Sequence, residues 1–285
     1  IRFDFSQPNI EPNKKGEFVW GSHDYDQCVN LCVKYKIDVI ATIDFSSGWA
    51  NVRGNNRWPS PTYPQTNVQV FADFSRTVVA RYKDRIKYWE IWNEADLNHF
   101  FKGTPGQYTE LLKVAYETAK ETDPGCKVIC TGIAVPERNN NLFYKTILKN
   151  DAGKYCDFAG YHTDARSFEP RLNMMEKAMS ENNVRKDYFI TEFGGGKEDF
   201  ATPEIYAEKY ITKYVEILSK GMVKVICAAE WASPGSQYDH ESHINTNFTP
   251  RPAFYIYQTM TKKLGTAEYK GKIDRKESEC YVFIN

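Results

Sequence analysis

Two short segments of this chain run an apolar, strand-like stretch straight into a carboxylate: Tyr88-Trp89-Glu90-Ile91-Trp92-Asn93-Glu94 and Tyr188-Phe189-Ile190-Thr191-Glu192-Phe193-Gly194. A buried strand that stops on a glutamate delivers it to the rim of a sheet, and two such rims facing each other pair their carboxyl groups. Paired carboxyls can divide labour: one keeps a proton for a leaving oxygen, the other stays ionised and attacks carbon. That is the chemistry of glycosidic bond cleavage. Glu94 is the candidate acid/base and Glu192 the candidate nucleophile. They lie far apart in sequence, so only the fold can bring them together. Glu90 precedes Glu94 by four positions, on the same strand and face in this reading, which suits an interior ion-pair partner better than a catalyst. Glu230, beside Trp231, is a third carboxylate, for which a structural role is the stronger reading.

The elements that must position these residues follow from hydrophobic periodicity. Asp24 to Tyr35 reads as a helix, Val39 to Phe45 as a buried strand, and Phe71, Phe74, Val78 and Tyr82 as the face of a second helix. The strand Ile86 to Trp92 comes next. Tyr108, Leu111, Leu112, Ala115 and Ala119 then mark an amphipathic helix that ends at Asp123-Pro124-Gly125. Strands at Lys127 to Thr131, Cys156 to Tyr161, Tyr188 to Glu192 and Val223 to Trp231 alternate with helices at Leu142 to Leu148, Arg171 to Ser180, Pro203 to Lys220 and Arg251 to Leu264. With Ile1 to Phe5 this makes seven strands, each followed by a helix or a helix-bearing connection. Such alternation implies an α/β fold with a parallel sheet and helices outside it. A doubly wound sheet shares the alternation, but no GxGxxG or phosphate loop follows any strand, and Gly194-Gly195-Gly196 lacks that spacing. A (β/α)8 TIM barrel occupying residues 1–265 is the better reading. Residues 266–285 form a short β extension, the stub of a small β module.

Composition bounds the partners. The chain has 285 residues, with 37 Lys+Arg against 37 Asp+Glu, so no global field draws it to nucleic acid or to an anionic membrane. No apolar run approaches the ~18 residues of a membrane span. Aromatic residues make up 15% of the chain, more than a core usually needs, and flat rings are what sugar faces stack on. Seven cysteines, an odd number without CxxC spacing, read as free buried thiols rather than a disulfide framework or a metal site. Free thiols suit the cytoplasm, whereas glycan hydrolysis suits a secreted or periplasmic enzyme, so sequence leaves the compartment open, as it does the oligomeric state. Asp239-His240-Glu241-Ser242-His243 is not HExxH and lacks a third ligand, so it reads as polar substrate-loop sequence rather than a metal centre. Asn247-Phe248-Thr249 matches a glycosylation acceptor, which matters only in a eukaryotic secretory route.

The two Glu-terminated strands, taken with Arg2-Phe3-Asp4 at the start and Trp231 near the end, resemble the clan A retaining glycoside hydrolases, family 39 most and family 5 next. Ile10-Glu11-Pro12 through Gly16-Glu17-Phe18 and Tyr25-Asp26 resembles that group's second βα connection, and Thr249-Pro250-Arg251-Pro252-Ala253-Phe254 its lead-in to the last barrel helix. The likeness spans the chain in order. It implies that Asn93-Glu94 ends the fourth barrel strand and Glu192 the seventh, so that the visible strands are the second to the eighth. A barrel lacking one strand exposes two sheet edges, so either sequence continues upstream or a neighbouring segment or subunit closes the gap.

The resemblance implies a retaining mechanism on β-linked glycans, β-xylosides or β-glucans first, by double displacement without metal or organic cofactor. It places Asn93 on the sugar 2-hydroxyl, Arg2 at the end of its strand where it orients the nucleophile, His162 in the site, and Trp231 under the sugar. Gly160-Tyr161-His162-Thr163-Asp164 departs from the group's His-x-Tyr pattern, because Asp164 stands where the Tyr would. Trp49, Arg53, Arg57, Trp58 and Tyr63 populate a long loop in which rings could stack sugars, Trp49 and Trp58 above all, and arginines could pair an acidic sugar. A carbohydrate-binding pseudoenzyme of the same fold stays open as the alternative, motivated by the altered His-x-Tyr pattern and the missing first strand.

Overall fold

The structure, a computed structural model, describes residues 1–164, 167–194, 202–229, 242–265, 267–275 and 278–284. The chain forms two compact units. The first comprises Ile1–His162 with Pro170–Thr191, the second Thr163–Glu169 with Glu192–Asn285. The elements in order are β1 (Arg2–Ser6), α1 (Gln7–Ile10), α2 (Tyr25–Lys34), β2 (Ile40–Asp44), α3 (Val68–Tyr82), β3 (Tyr88–Ile91), α4 (Pro105–Thr122), β4 (Lys127–Ile129), α5 (Leu142–Lys149), β5 (Ala159–Asp164), α6 (Phe168–Glu181), β6 (Tyr188–Gly194), α7 (Pro203–Leu218), β7 (Val223–Ala228), α8 (Pro252–Leu264), β8 (Glu268–Arg275) and β9 (Ser278–Ile284).

In the first unit β1, β2, β3 and β4 lie side by side in that order and parallel. Bridges from Ile129 to Phe158 and from Ile133 to Tyr161 extend the order to β5. The amide of Ala159 on β5 donates to the carbonyl of Asp187 just before β6. The register sets Asp4 opposite Thr42 and Thr42 opposite Glu90. Because side chains alternate across a strand, these three polar residues share one face, and their neighbours Phe3, Phe5, Ala41, Ile43, Trp89 and Ile91 share the other. The apolar face packs under the helices: Phe5 stacks on Tyr25 of α2 at 4.9 Å and meets Tyr82 of α3 and Trp89 edge-on at 5.0 and 6.2 Å. Full burial of such rings contributes roughly 2–3 kcal/mol each relative to exposure. One sheet face therefore supplies the core, and the other is free to carry polar chemistry.

Helix starts follow the local sequence. Thr104 and Gln107 form a reciprocal capping box at α4 with Pro105 in the first turn, and Asn67 caps α3 by accepting from the amide of Gln69. In the second unit, Thr202 caps α7, and Tyr214 of that helix donates to the carbonyl of Ile226 on β7 at 2.7 Å. The last residues of β6 continue beside β7, with the amide of Ala229 donating to the carbonyl of Phe193. β8 and β9 pair antiparallel. No helix among the described residues is long and apolar enough to cross a membrane.

The structure revises some local expectations. β3 is shorter than its apolar run because Trp92 takes a left-handed φ of 67°, which ends the extended backbone. Glu94, with φ 44°, therefore stands on a turn beyond β3 and not on the same strand as Glu90. Arg2 opens β1 instead of ending it, because the extended run continues to Ser6, where Pro8 is already set in the first turn of α1. The cysteines form no disulfide among the described residues, but not all are buried: Cys28 on α2 is exposed, and Cys227 and Cys280 are half-buried. His243 is fully buried rather than part of a polar loop, packed edge-on to Tyr210 and Tyr257 at 5.2 and 5.5 Å.

Candidate active site

The polar face of the first unit converges on Glu90, which is wholly buried. Its Oε2 accepts from Arg2 Nε at 2.6 Å and from Thr42 Oγ1 at 2.9 Å, and its Oε1 accepts from Thr191 Oγ1 at 2.6 Å. Burying an ion is costly unless it is paired and its remaining lone pairs are filled, and here one guanidinium and two hydroxyls do both. Glu90 is thus the interior ion-pair partner that its position suggests. Arg2 also donates from Nη2 to Asn93 Oδ1 at 2.7 Å, which fixes the side-chain amide just before Glu94.

Glu94 itself is 15% exposed, open enough to meet a ligand and shielded enough to be directed. Its Oε1 lies 2.9 Å from Nδ1 of His162, whose other nitrogen lies 3.0 Å from Thr191 Oγ1. Both imidazole nitrogens are thereby engaged by neighbouring side chains. The backbone around Glu94 is pinned on both sides. Its carbonyl accepts from the amide of Leu97, Ala95 donates to Thr131 Oγ1, and the Asp96 carboxylate accepts from the amides of Ala134 and Val135 at 3.1 and 2.8 Å. Burial, partly offset by those two amides, raises the Asp96 carboxyl above the ordinary carboxylate range, and the charge of Glu94 adds to the rise. Left-handed φ values at Phe45, Trp92 and Glu94 cost of order 1–2 kcal/mol each for non-glycine residues and cluster at the ends of β2 and β3. Strain of this kind persists where the surroundings over-determine it, and active sites are where it gathers.

No protein-family model matches the sequence, and no curated protein matches it. Solved structures do match. A family 39 glycoside hydrolase from Bacteroides cellulosilyticus WH2 superposes with a TM-score of 0.80 at 18% identity, covering 99% of this chain and 61% of that one. A family 39 β-xylosidase from Caulobacter crescentus gives 0.67 at 16% identity, covering 100% and 66%. A psychrophilic family 10 endo-β-1,4-xylanase gives 0.62 at 19%, covering 88% and 84%. The fold is a TIM barrel like that of these solved structures. The chain spans less than two thirds of the length of either family 39 structure.

Against that barrel fold the remaining candidates fall as follows. His162 lies inside β5 and is 4% exposed, with Tyr161 turned the other way onto Tyr188. Asp164, in the place expected for a Tyr, accepts from the amide and hydroxyl of Ser167 and so closes the turn after β5. Glu192 lies in the second unit, next after Thr191 along β6 and part-exposed. Trp49 spends its indole N–H on the carbonyl of Glu11 at 2.9 Å, the bond of a packed ring. Trp58 is 49% exposed and sits edge-on to Phe45 and Phe100, with His99 at 5.1 Å, an open aromatic surface. Arg53 covers the Tyr63 ring at 5.7 Å, and Arg57 is exposed. Trp231, Glu230 and residues 239–241 lie outside the described residues.

Sequence reading missed Thr42, Thr191, Gly132 and Asp44. Both threonines carried a signal, a hydroxyl amid apolar strand residues in phase with Glu90. Gly132 gave none: a Cβ there would stand 2.0 Å from His162 Nε2, a clash visible only in three dimensions. Asp44, at the end of β2, is wholly buried, and neither of its oxygens has a hydrogen-bond partner among the described residues. Burial and the nearby Asp4 hold its carboxyl well above the ordinary range.

Proposed function

We propose that this protein is a retaining glycoside hydrolase acting on β-linked glycans of the β-xyloside or β-glucan type, with Glu94 as acid/base and Glu192 as nucleophile. The observation that carries the reading is Glu94 itself, a part-exposed carboxyl on a pinned turn after β3, bonded to a buried histidine, in a fold shared with glycoside hydrolases. In the first step Glu94 gives its proton to the glycosidic oxygen as the C–O bond breaks and its electron pair leaves with that oxygen. The Glu192 carboxylate meanwhile forms a bond to the anomeric carbon. In the second step Glu94 takes a proton from water, whose oxygen displaces Glu192. Retention requires the two carboxyls roughly 5–5.5 Å apart. Asn93, held by Arg2, would meet the sugar 2-hydroxyl, and the exposed Trp58 ring would stack on a neighbouring sugar. The family 39 β-xylosidase and the family 10 xylanase support the choice of β-xylosides as the first substrates to try.

The test is the intact mass of the protein after incubation with a panel of 2-deoxy-2-fluoro glycosyl fluorides, followed by peptide mapping. The expected result is one added sugar on the peptide that carries Glu192, fastest with the xylosyl reagent, and none in Glu192→Gln. Absence of label from every sugar on folded protein that still binds oligosaccharide would replace hydrolysis with a carbohydrate-binding role.

A further inference from the structure

The hydrogen bonds around Glu90 have a direction. A carboxylate paired with a guanidinium only accepts, so Thr42 and Thr191 each spend their single hydroxyl proton on it. With that proton committed, Thr191 Oγ1 can meet His162 Nε2, 3.0 Å away, only as an acceptor. His162 therefore carries hydrogen on Nε2. Its Nδ1, 2.9 Å from Glu94 Oε1, is the nitrogen that the chain leaves without a fixed proton. The direction of each bond follows from the one before it, beginning at the Arg2–Glu90 pair.

We propose that Arg2, Glu90 and Thr191 form a one-way hydrogen-bond chain that locks His162 in its Nε2–H tautomer and turns the Nδ1 lone pair on Glu94, so that Thr191 and His162 are positioning residues that keep a proton on the acid/base carboxyl. The proposal rests on the reading of Glu94 as acid/base. A neutral Nε2–H imidazole can only accept at Nδ1, so its bond to Glu94 exists when the carboxyl holds the proton; the opposite tautomer would donate there and favour the carboxylate. Once Glu94 has given its proton to the leaving oxygen, the bond to Nδ1 is lost, and it re-forms when water returns a proton to Glu94 in the second step. The ring cannot easily swing away, because the backbone of Gly132 lies against its Nε2 edge. Besides Glu94, the charged groups near the ring among the described residues include Glu90, 4.0 Å from Nε2, Arg2 behind Glu90, and Asp96, two residues after Glu94. Glu192 follows Thr191 in sequence.

Long-range proton–nitrogen spectra of the whole chain labelled with 15N-histidine test this at neutral pH, with His162→Asn used to assign the signal. The expected wild-type spectrum shows Nε2 protonated and Nδ1 bare. In Thr191→Val the proton moves to Nδ1, and Thr191→Ser restores the wild-type pattern. A wild-type proton on Nδ1, in either the neutral or the doubly protonated ring, overturns the proposal, as does a spectrum unchanged in Thr191→Val. The wild-type spectrum, once assigned, needs no turnover, so it decides the tautomer even where fluoro-sugar labelling fails and the hydrolase reading falls. In the kinetic arm, Thr191→Val moves the alkaline limb of kcat/KM on an aryl β-glycoside down by about one pH unit, and Thr191→Ser leaves it in place. A slower Thr191→Val enzyme with an unmoved limb shows a merely structural threonine and overturns the proposal.

Discussion

A single methyl group separates the observed site from a broken one. Alanine at position 132 would put its Cβ 2.0 Å from His162 Nε2, so the ring must leave Thr191, Glu94 or both. Gly132→Ala is expected to destabilise the protein by about 1–3 kcal/mol through overpacking and to cut hydrolysis more than tenfold, read by thermal melting and by turnover of an aryl β-xyloside. Unimpaired turnover would mean that His162 does not serve the reaction. Asp44 makes a different prediction at the same scale. Its folded carboxyl is raised by burial above the ordinary value of about 3.9, so the native state holds that proton more tightly than the unfolded chain does. The resulting stability is fully present below that ordinary value and declines as pH climbs above it until the native group ionises. Asp44→Asn has no proton to lose. The melting temperature of the variant minus that of the wild type should therefore grow from about pH 4 toward neutrality, and a difference independent of pH would refute the assignment.

At the scale of elements, the position of Glu94 depends on how β3 ends. Tyr108 of α4 is buried between two strands, donating its hydroxyl to the carbonyl of Ile91 at the end of β3 and accepting from the amide of Thr131 just beyond β4 at 2.7 Å. One phenol thus joins the strand that precedes Glu94 to the residue whose hydroxyl holds Ala95. Tyr108→Phe leaves a buried carbonyl and a buried amide unpaired, at a cost of about 1–3 kcal/mol each. The expected outcome is a lower midpoint in urea unfolding together with reduced kcat, and a variant as stable as the wild type would show that the bridge is dispensable. The helix α4 was legible from its apolar stripe and its Thr104–Gln107 cap. The role of Tyr108 was not, because in the sequence it reads only as one more ring on the buried face.

For the whole molecule, the balance of 37 positive and 37 negative side chains leaves no net field to steer a ligand. Capture of a neutral oligosaccharide should therefore depend little on ionic strength. Between about 0.05 and 0.5 M salt its KM is expected to change by less than about twofold. A steep salt dependence of KM would instead point to an acidic sugar met by arginines such as Arg53 and Arg57 of the loop after β2.

The amino-acid sequence by itself determined the alternation of strands and helices, and with it the α/β class, because periodicity of 2 and 3.6 is written directly into which residues are apolar. It also made Glu94 a candidate for chemistry and Glu90 an ion-pair partner, while His162 was suggested only by the resemblance to the clan A glycoside hydrolases. Only the tertiary structure decided that Arg2 grips Glu90 and Asn93, that Thr191 links Glu90 to His162, and that position 132 admits no side chain. Those are contacts between residues tens of positions apart, set by strand register and by left-handed turns at Trp92 and Glu94. Local sequence preference carries no information about such pairings, because each partner would be equally at ease beside many others until the sheet brings these particular ones within hydrogen-bonding distance.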